Sequence, residues 1–243
     1  MKTIAVIPAR FAATRFPGKL MQTIGDKTII RRVYENALAT GLFDQVLVVT
    51  DSDIIFEEIA SVGGAVYKSK FEHQSGSDRI AEAVESMDVD VIVNIQGDEP
   101  FIVKEPLAGL IKNFEDPAVH VASLMKKFSA EEDPANPNLV KVVCDMQNNA
   151  LYFSRSPIPY FRNTSSDVAF YKHIGVYAYK KQTLLSFRSW PTSALEKTEM
   201  LEQLRYLEHG VSIRMVETTA TSIGIDTPDD LEFARAYFSK TQQ

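Results

Sequence analysis

A basic loop near the N-terminus is the most chemically suggestive segment of the sequence. Residues 8–19 read PARFAATRFPGK and carry three cations, Arg10, Arg15 and Lys19, with no acidic residue. The small alanines and the Pro-Gly turn of the loop let a backbone approach a ligand closely. A triphosphate carries roughly four negative charges, so its binding needs several charged donors and free amides together. The loop therefore predicts an anion site; the alternative is a solvated surface loop with scattered basic residues.

Two aspartates that are far apart in the sequence are candidate metal ligands. Asp98 lies in NIQGDEP, directly after a predicted strand, and Asp226 precedes a predicted helix N-cap at Thr227. A carboxylate at the end of such a strand points into the ligand crevice of an α/β sheet, and Mg²⁺ prefers carboxylate and phosphate oxygens. We expect the pair to share a metal site. The alternatives are a turn capped by Asp98 and a surface helix start at Asp226.

A polar segment, residues 73–79, reads HQSGSDR around a glycine. Its side chains and backbone are suited to reading the edge of a nucleobase. The alternative is a helix-capping loop in which Ser77 is the N-cap.

Further polar groups lie in the second half of the chain. Arg155 offers a guanidinium fork for a carboxylate. If residues 171–179 form a strand, a period of two places His173 and Tyr177 on one face. A single histidine in a strand is more often structural than catalytic.

One predicted helix, Leu195–His209, carries several polar residues off its apolar stripe. Such a face is usually solvated. These residues are Glu196, Glu199, Glu202, Gln203 and Arg205.

Several classes of site are absent from the sequence. The single cysteine, Cys144, and four dispersed histidines give no zinc spacing. The sequence contains no G-x-S-x-G elbow, no Walker A loop and no G-x-G-x-x-G fingerprint. One cysteine excludes an intrachain disulfide, which favours the cytoplasm. No apolar run approaches the roughly 18 residues of a membrane span, so we expect no membrane insertion.

Alternating strand and helix patterns in the first half must position these groups. Strands that are apolar on both faces, separated by helices, are typical of a parallel sheet with helices on either side. The predicted strands are Thr3–Pro8, Gln45–Thr50, Ala65–Lys68 and Val89–Ile95, and the predicted helices are Thr28–Thr40, Asp53–Val62 and Ser77–Met87.

The pattern changes after about residue 117, where it favours mixed or antiparallel sheet. The predicted elements are strand Val119–Leu124, a hairpin of 136–145 with 150–154, strands 171–179 and 211–217, helix 195–209 and a helix capped by Thr227. We therefore expect an α/β fold over residues 1–243, as one domain with a mostly parallel central sheet and flanking helices, and a small mixed-sheet subdomain at roughly 125–195.

Composition agrees with a globular domain. The chain has 243 residues, 45% of them hydrophobic and 24% charged, and a net charge of −6. A duplex nucleic-acid binder usually shows a basic excess, so no nucleic-acid partner is expected.

An ordered set of motifs resembles the 3-deoxy-manno-octulosonate (Kdo) cytidylyltransferase family. The resemblance covers about residues 4–234. The motifs are PARFAATRFPGK, HQSGSDR, NIQGDEP, NPNLVKVV, LYFSRSPIPY, YKHIGVYAY, LEKTEMLEQLRYLEHG and GIDTPDDLE.

The resemblance implies a glycosyltransferase-A-like fold of the nucleotide-diphospho-sugar transferase type. It also implies a cytoplasmic homodimer with its dimer contact at roughly 136–158. The implied activity is transfer of CMP from CTP to Kdo, with Mg²⁺, for lipopolysaccharide synthesis.

The resemblance also implies a role for each matching residue. Asp98 and Asp226 would hold Mg²⁺, and Lys19 and Arg10 would act with them in catalysis. The CTP residues would be Ala9, Arg10, Arg15, Lys19, Ser75, Gly76, Ser77, Asp78 and Arg79. The sugar-acid residues would be Gln96, Arg155, His173, Tyr177, Glu202 and Gln203.

Other functions stay open from the sequence. One alternative is a related enzyme that uses 8-amino-Kdo, sialic acid or a uridine nucleotide. Another is a non-catalytic nucleotide-binding relative.

Overall fold

The computed structural model describes residues 1–12, 16–71, 73, 75–162, 169–220 and 223–241. The backbone forms two compact units, which are described in turn. The first unit comprises residues 1–104 and 221–243, and the second comprises residues 105–220. The expected single domain with a subdomain at roughly 125–195 stays a prediction.

The strands are numbered in chain order. They are β1 (Thr3–Ala9), β2 (Thr23–Ile24), β3 (Lys27–Thr28), β4 (Gln45–Thr50), β5 (Val66–Lys68), β6 (Val91–Asn94), β7 (Val121–Lys127), β8 (Lys141–Cys144), β9 (Ala150–Ser154), β10 (Tyr171–Lys180) and β11 (Ile213–Glu217).

The α-helices are numbered in the same way. They are α1 (Ile29–Ala39), α2 (Asp53–Ser61), α3 (Gly76–Val84), α4 (Lys104–Lys112), α5 (Lys181–Ser189), α6 (Ala194–Glu199), α7 (Leu204–Glu208) and α8 (Pro228–Thr241). Short 3₁₀ turns lie at Lys19–Met21 and Asn113–Glu115.

A parallel sheet in the order β6-β1-β4-β5 forms the centre of the first unit. β1 pairs in parallel with β4, starting at Ile4 opposite Gln45, and with β6, starting at Thr3 opposite Val91. β4 pairs in parallel with β5. β1 is apolar on both faces and almost wholly buried, as expected for a central strand covered on both sides. The prediction of a mostly parallel sheet is confirmed.

Local side-chain caps fix where the helices of the first unit begin. At α8 the hydroxyl of Thr227 accepts a hydrogen bond from the amide of Asp230 at 3.2 Å, and the Asp230 carboxylate accepts one from the Thr227 amide at 2.8 Å. This reciprocal pair satisfies two unpaired helix-end donors and confirms the predicted cap. At α3 the alternative N-cap Ser77 is wrong, because Ser75 Oγ accepts from the Asp78 amide at 3.1 Å.

A mixed sheet forms the second unit. β10 pairs antiparallel with β7 and with β8, while β11 lies parallel to β7. β8 and β9 form an antiparallel hairpin through residues 145–149, where Asn148 adopts a positive φ of 61°. The mixed or antiparallel character predicted for this part of the chain is confirmed.

The helix predicted over residues 195–209 is wrong. It is two short helices, α6 and α7, separated by residues 200–203, and Met200 adopts left-handed φ and ψ of 54° and 48°. The expected solvated face is also wrong, because Glu196 is 8% exposed and Arg205 donates to its carboxylate at 2.7 Å. The apolar spacing on either side of the break is helical, so periodicity alone did not show the interruption.

The sequence prediction omitted α4 and α5. A proline in the first turn of α4 is compatible with a helix, since its missing amide has no partner there. No helix among the described residues is long and apolar enough to cross a membrane.

Candidate active site

A cavity of about 310 Å³ opens at the carboxyl ends of the central strands of the first unit. The segment at Gly76, the segment 96–98 and the basic loop form its walls, as expected where parallel strands end at one sheet edge. The lining residues are Pro8, Arg10, Ala12, Lys19, Leu20, Gly76, Gln96, Gly97 and Asp98.

Lys19 joins the two predicted metal ligands at this cavity. Its Nζ lies 2.6 Å from Asp98 Oδ2 and 2.9 Å from Asp226 Oδ1. The lysine side chain is 12% exposed, whereas those of Asp98 and Asp226 are 28% and 49% exposed. Burial lowers the pKa of Lys19, but the two carboxylates more than offset this, so its pKa lies above the ordinary value. The ammonium is therefore fully charged at pH 7.

Backbone contacts hold the two carboxylates in place. The amide of Ile225 donates to the Asp98 carbonyl oxygen at 3.1 Å, which ties the residue before Asp226 to the loop that carries Asp98. The amide of Asp226 donates to Asp230 Oδ2 at 3.0 Å. Capping of α8 is thus done by Thr227 and Asp230, and the Asp226 carboxylate reaches Lys19.

The donor set suits Mg²⁺. Asp98 and Asp226 both contact one ammonium, so their oxygens lie within reach of a single cation. Within the described part of the chain, no cluster of three or more His, Cys, Asp or Glu side chains is arranged to hold a metal. Two carboxylates with the remaining positions left to substrate phosphate and water are the usual Mg²⁺ arrangement.

Of the other two cations of the basic loop, the structure describes Arg10 only. Arg10 is exposed at the cavity, and its Nη2 donates to the carbonyl oxygen of His73 at 2.9 Å. Arg15 lies outside the described residues. Lys19 and Arg10 thus lie at one cavity, where Asp98 and Asp226 neutralise the charge of Lys19 and Arg10 has no carboxylate partner among the ion pairs of the described residues.

The segment predicted to contact the nucleotide has mixed roles. Gly76 lines the cavity, and Ser75 caps α3. Ser77 is buried, and Asp78 contributes its amide to the cap. Arg79 is 1% exposed and is used internally.

Arg79 supports the backbone of the basic loop. Its Nη1 donates to the carbonyl oxygen of Ala9 at 2.7 Å, and its Nη2 to Asp51 Oδ2 at 2.5 Å. Arg79 therefore fixes the end of β1, where Ala9 was predicted to approach a ligand through its backbone.

Two residues at this edge were missed by sequence reasoning. A Cβ on Gly97 would lie 3.0 Å from the carbonyl oxygen of Pro8, so glycine permits close approach of these two strand ends. The buried Glu82 accepts from the Lys70 amide at 2.8 Å and contacts the His73 ring. The glycine in NIQGDEP was visible in the sequence, whereas Glu82 resembles any acidic residue on a helix.

In the second unit, two predicted sugar residues lie together on β10. The ring centroids of His173 and Tyr177 are 5.2 Å apart, and Phe153 packs edge-on against His173 at the same distance. His173 Nε2 lies 3.0 Å from Ser123 Oγ. Burial of the ring lowers the pKa of His173 to about 4, so the imidazole is neutral at pH 7.

Gln203 and Glu202 lie between α6 and α7. Among the residues that the structure describes, the buried Gln203 Nε2 and Tyr206 hydroxyl have no hydrogen-bond partner. Burial raises the pKa of Tyr177 well above its usual value, and the nearby Glu202 carboxylate raises it further.

Arg155, predicted to contact the sugar acid, contacts backbone carbonyl oxygens of its own chain, and its predicted role stays a prediction. Its guanidinium donates to the carbonyl oxygens of Glu199 at 2.7 Å, Pro137 at 2.8 Å and Met200 at 3.2 Å. The structure therefore places this guanidinium against backbone carbonyls. Gln96 lies in the first unit, at the cavity.

Comparison with known proteins identifies the family. Residues 4–213 match the family described as cytidylyltransferase. The chain belongs to the cytidylyltransferase family. The 3-deoxy-manno-octulosonate cytidylyltransferase of Flavobacterium johnsoniae is 58% identical over 239 residues, which are 97% of this chain and 98% of that protein. The same-named protein of Christiangramia forsetii is 54% identical over 241 residues, 98% of this chain and 97% of that one.

A solved structure of a relative has the same fold as this cytidylyltransferase. CMP:2-keto-3-deoxy-manno-octonic acid synthetase, solved in complex with CTP, superposes with a TM-score of 0.94 at 40% identity. The match covers 99% of this chain and 100% of that one. The mostly parallel sheet with flanking helices is thus that of a nucleotidyltransferase.

Proposed function

We propose that this chain transfers CMP from CTP to Kdo, giving CMP-Kdo and pyrophosphate for lipopolysaccharide synthesis. The observation that carries the proposal is the convergence of Asp98 and Asp226 on Lys19 beside a cavity lined by the basic loop. The CTP and Kdo named in the relatives' descriptions fit this chemistry.

The basic loop would bind the triphosphate. Lys19 and Arg10 would neutralise the phosphates and the charge that develops on the departing pyrophosphate, and Arg15 belongs to the same loop. Gly76 and Gly97 line the same cavity and pack against Pro8. Because nucleotidyl transfer depends mainly on positioning and charge stabilisation, no protein nucleophile is required.

Asp98 and Asp226 would hold Mg²⁺. When bound, the ion would lower the pKa of the attacking hydroxyl and draw together the two anionic substrates. The anomeric hydroxyl oxygen of Kdo forms a bond to the α-phosphorus of CTP. The bond from that phosphorus to the bridging oxygen breaks, pyrophosphate leaves, and the hydroxyl proton passes to water.

The second unit would recognise the sugar acid. The neutral His173 can exchange hydrogen bonds with a sugar hydroxyl without carrying a charge. Gln203 Nε2 is a buried donor without a partner among the described residues, which suits an oxygen-rich ligand. The Tyr177 ring packs against His173, and the Glu202 carboxylate lies near Tyr177.

We further propose that the chain is a homodimer through residues 136–158. Two apolar side chains of the β8–β9 hairpin region are exposed, Met146 at 96% and Leu151 at 61%. Burial of such side chains against a second copy would be favourable. Light scattering of the protein and of Leu151→Glu tests this: the wild type should have twice the chain mass, and the variant should shift toward the monomer.

The activity test is incubation with CTP, Mg²⁺ and Kdo, followed by mass analysis of the product and measurement of pyrophosphate. We expect CMP-Kdo in the complete mixture and none when Mg²⁺ is chelated. Parallel reactions with 8-amino-Kdo, with sialic acid and with UTP separate the related enzymes. Absence of pyrophosphate with every sugar would instead indicate a non-catalytic nucleotide-binding protein.

A further inference from the structure

Arg155 and Glu199 form a polar network around the break between α6 and α7. The Glu199 carboxylate accepts hydrogen bonds from Ser154 Oγ at 2.7 Å and from the Arg155 amide at 2.9 Å. In return, the Arg155 guanidinium donates to the carbonyl oxygens of Glu199 and Met200 at 2.7 and 3.2 Å. The end of β9 is thus joined to the end of α6 from both directions.

The network is anchored on the strand side by a buried lysine. Lys141 is 0% exposed, and its Nζ donates to the carbonyl oxygen of Asn136 at 3.1 Å and to that of Arg155. Arg155 also reaches the neighbouring Pro137 carbonyl oxygen at 2.8 Å. Burying charged groups in this way is costly unless their geometry is held by several partners. The carbonyl oxygen and the guanidinium of Arg155 are therefore both held by hydrogen bonds.

The segment that the network holds is strained and carries proposed sugar residues. Met200 is in the left-handed region, with φ 54° and ψ 48°. A residue with a side chain adopts this region at a cost unless its surroundings enforce it. Arg155 donates to the carbonyl oxygens of Glu199 and Met200 in this turn. Glu202 and the buried Gln203 follow within three residues.

A second set of side-chain contacts also spans the break between α6 and α7. Arg205 Nε donates to Glu196 Oε2 at 2.7 Å, and the Arg205 guanidinium lies 4.2 Å from the ring centre of Phe187. This ion pair connects α6 to α7 directly. Because this ion pair fixes the two helices to each other, the orientation of the connecting residues 200–203 depends on the backbone conformation at Met200.

We propose that Arg155 and Glu199 are positioning residues, which hold the left-handed turn at Met200 and thereby set Glu202 and Gln203 for the sugar acid. This inference rests on the proposed function of the sugar site. In this assignment Arg155 binds backbone carbonyl oxygens of its own chain, and Glu199 has a role that the sequence did not indicate.

A double-mutant cycle tests the assignment. Arg155→Ala and Glu199→Ala should each raise the KM for Kdo about tenfold, the effect of losing one or two charge-assisted hydrogen bonds. The double variant should be little worse than either single one, since both act through one turn. The KM for CTP should stay within about twofold because the hydrogen bonds of the network all lie within the second unit.

Arg214→Ala is the matched control. It removes another arginine of the same unit, one that donates to Asn149 Oδ1 at 3.0 Å and lies 3.8 Å from Asp116. We expect both KM values to stay near those of the wild type. Suppose that the KM for Kdo rises strongly in Arg155→Ala, stays unchanged in Glu199→Ala, and is additive in the double variant. This result would mean that Arg155 binds the sugar directly, and it would overturn the proposal.

Hydrogen exchange on the substrate-free protein separates this inference from the proposed function. The amides of Leu201, Leu204 and Arg205 are all hydrogen-bonded near the turn, at 3.2 Å each. Arg155→Ala and Glu199→Ala should speed their exchange at least about tenfold relative to Arg214→Ala. Unchanged exchange would refute the positioning role, whatever the sugar. Failure of the wild type with Kdo alone would refute only the proposed substrate.

Discussion

Replacement of Lys19 by methionine should strengthen metal binding in the absence of nucleotide. In the substrate-free protein the Lys19 ammonium is the cation that Asp98 and Asp226 share, at 2.6 and 2.9 Å. A divalent ion that binds both carboxylates must displace it. Methionine keeps much of the length and volume of the side chain and removes the charge, so the carboxylates lose their competing partner.

The size of the effect follows from the exposure of the two ion pairs. The lysine side chain is 12% exposed, but its partners are 28% and 49% exposed. A partly exposed pair contributes about 0.5–1 kcal/mol. Loss of two such pairs corresponds to about 1–2 kcal/mol, or roughly 5- to 30-fold in metal affinity. The pKa of Lys19 is raised, so this competition should be independent of pH from 6 to 9.

The measurement is titration of nucleotide-free protein with Mn²⁺, followed by electron paramagnetic resonance of the free ion. Lys27→Met is the matched control, because Lys27 Nζ pairs with Glu35 at 2.6 Å in the same unit and contacts neither aspartate. Its Mn²⁺ affinity should equal that of the wild type. Weaker or unchanged Mn²⁺ binding by Lys19→Met, in a variant with a normal circular-dichroism spectrum, would refute the competition argument.

Three further predictions concern single side chains. Asp98→Asn should lower kcat at least about 100-fold while raising the KM for CTP less than tenfold, because the metal matters most as the bond forms; near-normal turnover at saturating Mg²⁺ would contradict this. The pKa of His173 is lowered to about 4, so the unfolded chain binds a proton below pH 6.5 that the folded protein rejects. Urea unfolding should therefore lose roughly 2 kcal/mol between pH 6.5 and 5, and His173→Gln should lose less over that interval. Gly97→Ala, whose Cβ would lie 3.0 Å from the Pro8 carbonyl oxygen, should cost about 1–2 kcal/mol of folding free energy. An unchanged melting temperature would contradict this and would show that the two strand ends move apart to accommodate the methyl group.

Local signals in the sequence determine much of the first unit. β4 was predicted with its observed bounds, Gln45–Thr50, and β1 to within one residue. The Thr227-Pro228 start of α8 was read from its cap. These elements follow from a hydrophobic period or a capping side chain within a few residues. That information is contained in a short stretch of sequence.

Interactions between distant residues explain the predictions that failed. Helical spacing continues across residues 200–203, yet Arg155 and Glu199 hold a left-handed turn there. This turn depends on a partner 45 residues away, to which local propensity is insensitive.

The sequence by itself determined the chemical repertoire of this protein: a basic loop, two separated aspartates and the order of motifs that resembles one family. Tertiary structure decided the pairings. Lys19 and Asp226 are 207 residues apart in the chain, and only folding brings the ammonium between the two carboxylates. The same is true of Arg155, because a guanidinium suited to a substrate carboxylate is equally suited to backbone carbonyl oxygens. Residue type fixes what a group can bind, and the fold fixes what lies within its reach.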